Sequence, residues 1–238
     1  MIARALRNAS ALLAVAALAL GVAPQALAQA AKPAAAAAKP AANPLAKWDA
    51  GRHYRVLSPT VPTSVAPGKV EVVEVFWYGC GHCYALDPYL ESWKKTKPAA
   101  AEFVRLPVTW SPPAKRHARL YYALQALKQD GRLHTKVFDA IHRGGTPLVA
   151  NDDAGSLAVQ RDWAKANGVD PAAFTNAWNS MSVDVKLRQA DDLARRYRIE
   201  GTPAMIINGK YFTDVSMAGG VEQMLSLIND LVAAETRR

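Results

Sequence analysis

The chain has 238 residues, of which 50% are hydrophobic, so it can bury a core as one domain with a large insertion or as two small domains. The formal net charge is +9, but the cations are dispersed on helix-like segments without interleaved aromatic residues. We therefore expect solvated charged faces and no nucleic-acid partner.

Residues 1–28 have the pattern of a secretory signal. Arg4 and Arg7 precede an apolar stretch at 11–20, and the segment 26–28 (Ala-Leu-Ala) provides the small residues of a signal peptidase site. The apolar stretch is too short to cross a bilayer of about 30 Å as a helix. We predict cleavage after Ala28 and export of the mature chain, with retention as an uncleaved anchor as the alternative.

Residues 29–46 are rich in Ala, Pro and Lys and lack the apolar periodicity of a core segment. Such a composition is typical of a flexible or partly extended tether. We expect this segment to separate the folded domain from the membrane during export, or to be a spacer without a function of its own.

Strands flanking one helix are predicted in the next part of the chain. In order, these are a weak strand at 53–57, a strong strand at 70–77, a helix from Cys80 to about Thr96 and a strand at 103–109. Pro88 lies inside the helix and should kink it. A right-handed crossover would make the strands at 70–77 and 103–109 parallel.

Residues 111–198 show apolar residues at helical spacing, interrupted by Gly131 and Gly168 as helix stops. We predict an all-helical subdomain over this range. It would be inserted into an α/β domain formed by residues 47–110 and 199–238.

The end of the chain predicts a β-hairpin and a closing helix. Asn208-Gly209 separates short apolar runs at 204–207 and 210–213, which is a strong signal for a tight hairpin turn. A helix with one apolar face follows the Gly219-Gly220 break.

Two cysteines are present, and they stand three positions apart in Cys80-Gly81-His82-Cys83, at the predicted strand-to-helix junction. The first turn of a helix has unpaired N–H groups and the positive end of the helix dipole, so a thiolate is stabilised there. Because the thiolate is the reacting species, this placement favours disulfide exchange. A purely structural disulfide is the alternative, but a bridge that closes so short a loop stabilises the fold little.

Metal and haem sites are the other uses of such a cysteine pair. A zinc site needs further ligands, and the chain has no second cysteine pair. The histidines outside the motif lack paired ligand spacing; they are His53, His117, His134 and His142. Covalent haem needs His directly after the second cysteine, where Tyr84 stands. We therefore expect redox chemistry without a metal or an added cofactor.

The segments FWYGCGHCYALDP and GTPAMIINGKYF, with a helical stretch between them and a signal in front, resemble the DsbA family of periplasmic thiol:disulfide oxidoreductases. The resemblance covers essentially the whole mature chain. It implies a thioredoxin fold with an inserted helical subdomain, and a location in the periplasm.

The resemblance also implies roles for the residues of the motif. Cys80 would be the nucleophile, Cys83 the resolving cysteine, and Gly81 and His82 the pair that tunes them. An imidazole over the helix start can donate to the thiolate of Cys80 or pair with its charge, which would lower the pKa of Cys80. The alternative is that His82 is merely an exposed loop residue.

Two sites outside the motif also match the family. Thr202-Pro203 corresponds to its cis-proline loop, in which the backbone of the residue before the proline pairs with a bound substrate strand. Glu74 corresponds to a buried carboxylate beneath the resolving cysteine, which can pass protons to or from Cys83. The alternative for Glu74 is a water-facing residue at the sheet edge, since Glu71 shows that this strand tolerates charge.

The predicted function is that of a periplasmic dithiol oxidase. It would donate the Cys80–Cys83 disulfide to reduced, unfolded, exported polypeptides through a mixed disulfide, and the resemblance implies reoxidation by an inner-membrane protein of the DsbB type. We expect a monomer, because the segment before the first strand is too short for a dimerisation domain. The alternatives are an isomerase or reductase on the same fold, in which Gly-His between the cysteines also occurs, and a peptide-binding chaperone with an incidental dithiol.

Overall fold

The computed structural model describes residues 43–237, so the predicted signal at 1–28 and most of the predicted tether at 29–46 lie outside the described residues. In chain order the elements are β1 (Arg55–Val56), β2 (Val70–Phe76), α1 (Gly81–Thr96), β3 (Ala101–Pro107), α2 (Pro112–Ala126), α3 (Asp130–His142), α4 (Asp153–Ala166), α5 (Pro171–Trp178), α6 (Met181–Arg196), β4 (Ala204–Ile207), β5 (Tyr211–Thr213), α7 (Val215–Ala218) and α8 (Val221–Thr236).

The strands form one mixed sheet in the order β1-β5-β4-β2-β3. β2 and β3 are parallel, as predicted, whereas β4 is antiparallel to both β2 and β5. The weak strand predicted at 53–57 is confirmed as β1, which pairs with β5. Every residue of β2 is buried, because this strand lies inside the sheet and is covered on both faces.

The side chains of β2 alternate between two hydrophobic clusters. Val73 and Val75 belong to the cluster that contains the helical subdomain. Val70 and Val72 belong to the cluster formed with α1 and α8. The sheet is therefore a central layer between two cores, and any polar side chain inside β2 is enclosed.

The helix predicted from Cys80 is α1, which has Cys80 as its N-cap and continues through Pro88 to Thr96. The predicted helical subdomain is present as α2 to α6, between β3 and β4. Four of these helices begin at a side chain that accepts a hydrogen bond from the backbone N–H three residues on; the caps are Ser111, Asp152, Asp170 and Ser180. The prediction of an α/β fold with an inserted helical subdomain is confirmed.

The predicted hairpin is formed by β4 and β5. Asn208 and Gly209 both have positive φ, at 53° and 62°, as a tight two-residue turn requires. A Cβ at Gly209 would lie 1.9 Å from the carbonyl oxygen of Val61, so only glycine fits there. The short helix α7 was not predicted; Asp214 caps it by accepting from the N–H of Met217. Within the described range, no helix combines the length and apolar character needed to cross a bilayer.

Candidate active site

The two cysteines lie at the start of α1, and both are free thiols in this structure. Cys80 is partly exposed, and its N–H donates to the carbonyl of Trp77 at 2.9 Å, which closes the turn from β2 into the helix. Cys83 lies in the first helical turn and is completely buried. One sulfur is therefore accessible to a substrate, and the other is enclosed directly behind it.

The environment of Cys80 lowers its pKa from the ordinary value of 9.0 to about 5. The largest cause is the hydrogen bond from the Cys83 side chain, which outweighs the opposing effect of burial. The Thr202 side chain and the backbone N–H groups of Cys83 and His82 contribute further hydrogen bonds to the sulfur. The direction of this shift agrees with the thiolate expected at the helix start, but the backbone N–H groups are not its largest cause.

The pKa of Cys83 is shifted in the opposite direction. Burial raises the pKa of its thiol strongly, and the neighbouring sulfur of Cys80 and the charge of Glu74 raise it further. Because only thiolates attack disulfides, these opposite pKa directions favour Cys80 over Cys83 as the attacking thiol.

The two residues between the cysteines are both exposed. His82 acts on the pKa of Cys80 through its backbone N–H, and the residue borders the groove beside the dithiol. A Cβ at Gly81 would meet nothing within 4 Å, so the fold does not require glycine there. Tuning of Cys80 by the imidazole of His82 stays a prediction.

The Thr202-Pro203 peptide bond is cis, as the resemblance implied. The thiol of Cys80 donates to the carbonyl oxygen of Thr202 at 3.3 Å. The loop before β4 thus lies directly against the sulfur of Cys80. A second cis bond, Ser58-Pro59, was not predicted.

A groove of about 850 Å³ lies beside the dithiol and the cis-proline loop. We call it the cis-proline groove. His82, Thr202 and Pro203 border it at the end near Cys80. Its walls are mainly apolar and include Leu86, Tyr89, Phe212, Val215, Met217 and Val221. Tyr89 is 51% exposed, unusual for a large aromatic residue, and indicates a surface available to a partner.

Glu74 is fully buried in β2, which excludes the water-facing alternative. Its Oε2 accepts from the Nε of Arg105 at 2.8 Å. Arg105 also donates to Asp87 at 3.2 Å and to Glu91 at 2.6 Å. Burial raises the pKa of Glu74, although the charge of Arg105 opposes this.

The Glu74 Oε1 atom is buried without a hydrogen-bond partner in the part of the chain that the structure describes. The charge of Glu74 acts on Cys83, so the carboxyl lies close enough to influence that sulfur. Among residues 43–237, no group of three or more His, Cys, Asp or Glu side chains is arranged to hold a metal ion.

Comparison with known proteins identifies the family. Residues 98–229 match the family model described as the DSBA-like thioredoxin domain. The thiol:disulfide interchange protein DsbA of Pseudomonas syringae pv. tomato is 36% identical over 79% of this chain and 84% of that protein. The chain belongs to the DsbA family. DsbA of Pseudomonas aeruginosa is 37% identical over 79% of this chain and 86% of that protein.

Solved DsbA structures share the fold. The crystal structure of Pseudomonas aeruginosa DsbA superposes with a TM-score of 0.74 at 36% identity, covering 80% of this chain and 96% of that one. DsbA from Xylella fastidiosa, an oxidoreductase, has a TM-score of 0.73 at 28% identity and covers 80% and 98%. The thioredoxin-like DsbA fold expected from the sequence is confirmed.

The structure brings the predicted residues Cys80, Cys83 and Thr202 into contact, and places Glu74 within electrostatic reach of Cys83. Sequence reasoning missed Arg105 as the partner of Glu74. Arg105 lies within the strand predicted at 103–109, but only the observed parallel register sets it opposite Glu74. It also missed the groove walls from β5 and α7, which no local pattern connects to the dithiol.

Proposed function

We propose that this DsbA-family thiol:disulfide oxidoreductase acts in the periplasm as an oxidase of reduced, unfolded, exported polypeptides. The observation that carries the proposal is the asymmetry of the dithiol. An accessible sulfur with a pKa of about 5 lies in front of a buried sulfur with a raised pKa. A thiolate that is stable when released is a good leaving group, so the reduced enzyme is favoured and the oxidised enzyme readily gives up its disulfide.

The exchange proceeds in two displacements. A substrate thiolate attacks Cys80 of the oxidised enzyme, the Cys80–Cys83 bond breaks, and a mixed disulfide joins Cys80 to the substrate. A second substrate thiolate then attacks the substrate sulfur of that bond and releases Cys80 as a thiolate. Two electrons pass from the substrate dithiol to the enzyme, and the substrate gains one disulfide.

Cys83 leaves the first displacement as a buried thiolate and therefore needs a proton. Glu74 lies within electrostatic reach of Cys83. In its protonated form it can supply that proton, and it can take a proton back from Cys83 when the disulfide is formed again. The unpartnered Oε1 of Glu74 is free to take part in this transfer. Arg105, held on the other oxygen, keeps the carboxyl in place.

The cis-proline groove provides a binding surface for an extended polypeptide. The Thr202 backbone lies beside the Cys80 sulfur, just before β4 begins, where the backbone of an extended substrate strand can pair with it. The apolar walls of the groove suit the side chains that an unfolded chain exposes. His82, at the entrance, is placed to contact the substrate next to its cysteine.

The remaining parts of the proposal follow from the family. A signal cleaved after Ala28 would deliver the mature protein to the periplasm, and a DsbB-type inner-membrane protein would reoxidise it. The enzyme would work as a monomer without an added cofactor. The division into a thioredoxin-like part at 47–110 and 199–238 and a helical subdomain at 111–198 stays a prediction in its boundaries.

A direct test mixes the oxidised protein with a reduced, unfolded ribonuclease and follows formation of disulfides in the ribonuclease. The wild type should oxidise it, and Cys80→Ala should not. Reduced Cys83→Ala, mixed instead with unfolded ribonuclease that keeps its disulfides, should accumulate a mixed disulfide: the Cys80 thiolate attacks a ribonuclease disulfide, one ribonuclease thiolate leaves, and no Cys83 thiol is present to resolve the product. Peptide mapping identifies the joined cysteines. A Cys80→Ala variant that protects unfolded ribonuclease from aggregation as well as the wild type, with no oxidation by either protein, would support the chaperone alternative.

A further inference from the structure

Three histidines of the helical subdomain contact the two residues that lead into the dithiol. The Trp77 Nε1–H donates to His117 Nδ1 at 3.0 Å, and the Tyr78 hydroxyl lies 2.9 Å from His134 Nδ1. His142 Nε2 lies 2.8 Å from the Tyr78 carbonyl oxygen. A carbonyl oxygen only accepts hydrogen bonds, so His142 is the donor and carries its proton on Nε2.

These contacts act on a turn whose geometry determines the position of Cys80. The Cys80 N–H is bonded to the carbonyl of Trp77, and the Trp77 indole lies against Gly79. A Cβ at Gly79 would lie 2.5 Å from that ring, so the indole and the turn are closely packed. A displacement of Trp77 or Tyr78 would therefore move the Cys80 sulfur relative to its hydrogen-bond donors.

His142 contacts the chain on both sides of the dithiol. It holds the Tyr78 carbonyl before Cys80, and its ring stacks on Tyr84, directly after Cys83, with centroids 4.9 Å apart and planes 7° apart. The Tyr84 hydroxyl donates to Asp139, on the same helix as His142, at 2.9 Å. The end of α3 thus contacts residues on both sides of the dithiol. We call residues 77–84, which contain the dithiol, the redox segment.

We infer that His142 is a positioning residue for the redox centre, and that through it the helical subdomain determines how well the donors around Cys80 stabilise its thiolate. His117 and His134 support the same segment from within the core, where both are buried. The inference rests on the proposed function in one respect, namely that the Cys80 thiolate is the leaving group of the exchange. His142 lies in the helical subdomain, so its effect on the Cys80 thiolate comes from outside the thioredoxin-like part of the fold.

The test measures the Cys80 pKa from thiolate ultraviolet absorbance in His142→Leu, His142→Gln and the wild type. His142→Leu should raise the pKa of Cys80 by about half to one unit. This is the shift expected when the thiolate loses stabilisation equivalent to about one hydrogen bond. His142→Gln, whose amide can still donate to the Tyr78 carbonyl, should recover part of the shift. His53→Leu is the matched control, because His53 bonds the N–H of Asp49 instead of the redox segment.

Thermal melting separates a positioning effect from a loss of stability, since a residue with a merely structural role would lower the melting temperature and leave the Cys80 pKa unchanged. If His142→Leu does not fold, Tyr84→Leu removes the ring contact with His142 and the hydrogen bond to Asp139, leaves the bond from His142 to the Tyr78 carbonyl, and should still raise the pKa of Cys80. A Cys80 pKa equal to the wild-type value in the folded variants would overturn the inference. A wild type without oxidase activity would overturn the proposed function, while the pKa comparison would still decide the role of His142.

Discussion

The Cys80 Sγ lies 3.3 Å from the carbonyl oxygen of Thr202, a residue 122 positions further along the chain. The sheet brings them together, because β4 pairs antiparallel with β2 and its start lies beside the end of β2, where α1 begins. The reactive sulfur and the backbone proposed to bind the substrate therefore form one site. The position of this site depends on strand pairing.

The pKa of Cys80 should depend strongly on a hydrogen-bond donor at position 83. The Cys83 side chain is the largest cause of the low value of about 5. Cys83→Ala should raise the Cys80 pKa by about one unit, and Cys83→Ser, which keeps a donor, should raise it less. Thiolate absorbance titrations measure both, and equal pKa values in the two variants would contradict this assignment.

The reduced protein should be more stable than the oxidised protein at neutral pH. The pKa of Cys80 is lower in the folded protein than its ordinary value of 9.0, so the stabilisation is fully present above about pH 9 and is lost as the pH falls through about 5. At pH 7 it is at most about 2.7 kcal/mol, and solvent screening of the partly exposed sulfur reduces it. Melting both forms at pH 7 and near pH 4 tests this.

The reduced form should melt higher at pH 7, and the difference should become small near pH 4. An oxidised form that melts several degrees higher at pH 7 would mean that the disulfide is structural. The short loop between the cysteines makes that outcome unexpected, since closing it removes little entropy from the unfolded chain.

Glu74→Gln should slow exchange with substrate and keep the fold, because glutamine preserves the shape and the bond to Arg105 but cannot relay a proton to Cys83. We expect a loss of about 10-fold or more in rate, in line with general acid–base contributions. Stopped-flow oxidation of a peptide dithiol across about pH 5 to 8 measures it. Wild-type rates at every pH would leave Glu74 with a structural role only.

Arg105→Met should destabilise the protein by about 3–5 kcal/mol, because it leaves the buried carboxyls of Glu74 and Asp87 without their cation. Urea unfolding measures the free energy. The double variant Glu74→Gln with Arg105→Met should recover part of the loss, since one of the uncompensated charges is then absent. Purely additive effects would show that the two side chains do not interact.

The mature protein should be a monomer that oxidises reduced substrates quickly and rescues scrambled disulfides poorly. A separate dimerisation domain would be needed for the cleft of a periplasmic isomerase, and the predicted tether at 29–46 cannot bury a core of its own. Light scattering and reactivation of scrambled ribonuclease test the two halves of this prediction. A tight dimer with strong reshuffling activity would favour the isomerase alternative.

Local patterns in the sequence were sufficient for most of the fold. The apolar run of β2, the helix after Cys80 and the Asn208-Gly209 turn each depend on residues that are neighbours in the chain. The inserted helices were predicted for the same reason. The missed helix α7 is a single turn of four residues, too short to show a period.

The sequence by itself determined the chemistry of the centre: a cysteine pair at a helix start, where unpaired backbone N–H groups can stabilise a thiolate. Only the tertiary structure decided which groups surround that pair. The Thr202 carbonyl, the Arg105 partner of Glu74 and the His142 contact all come from segments far away in the chain. Such contacts, and the burial that separates the pKa values of Cys80 and Cys83, arise when strands pair and the helical subdomain packs on the sheet, which no local periodicity records.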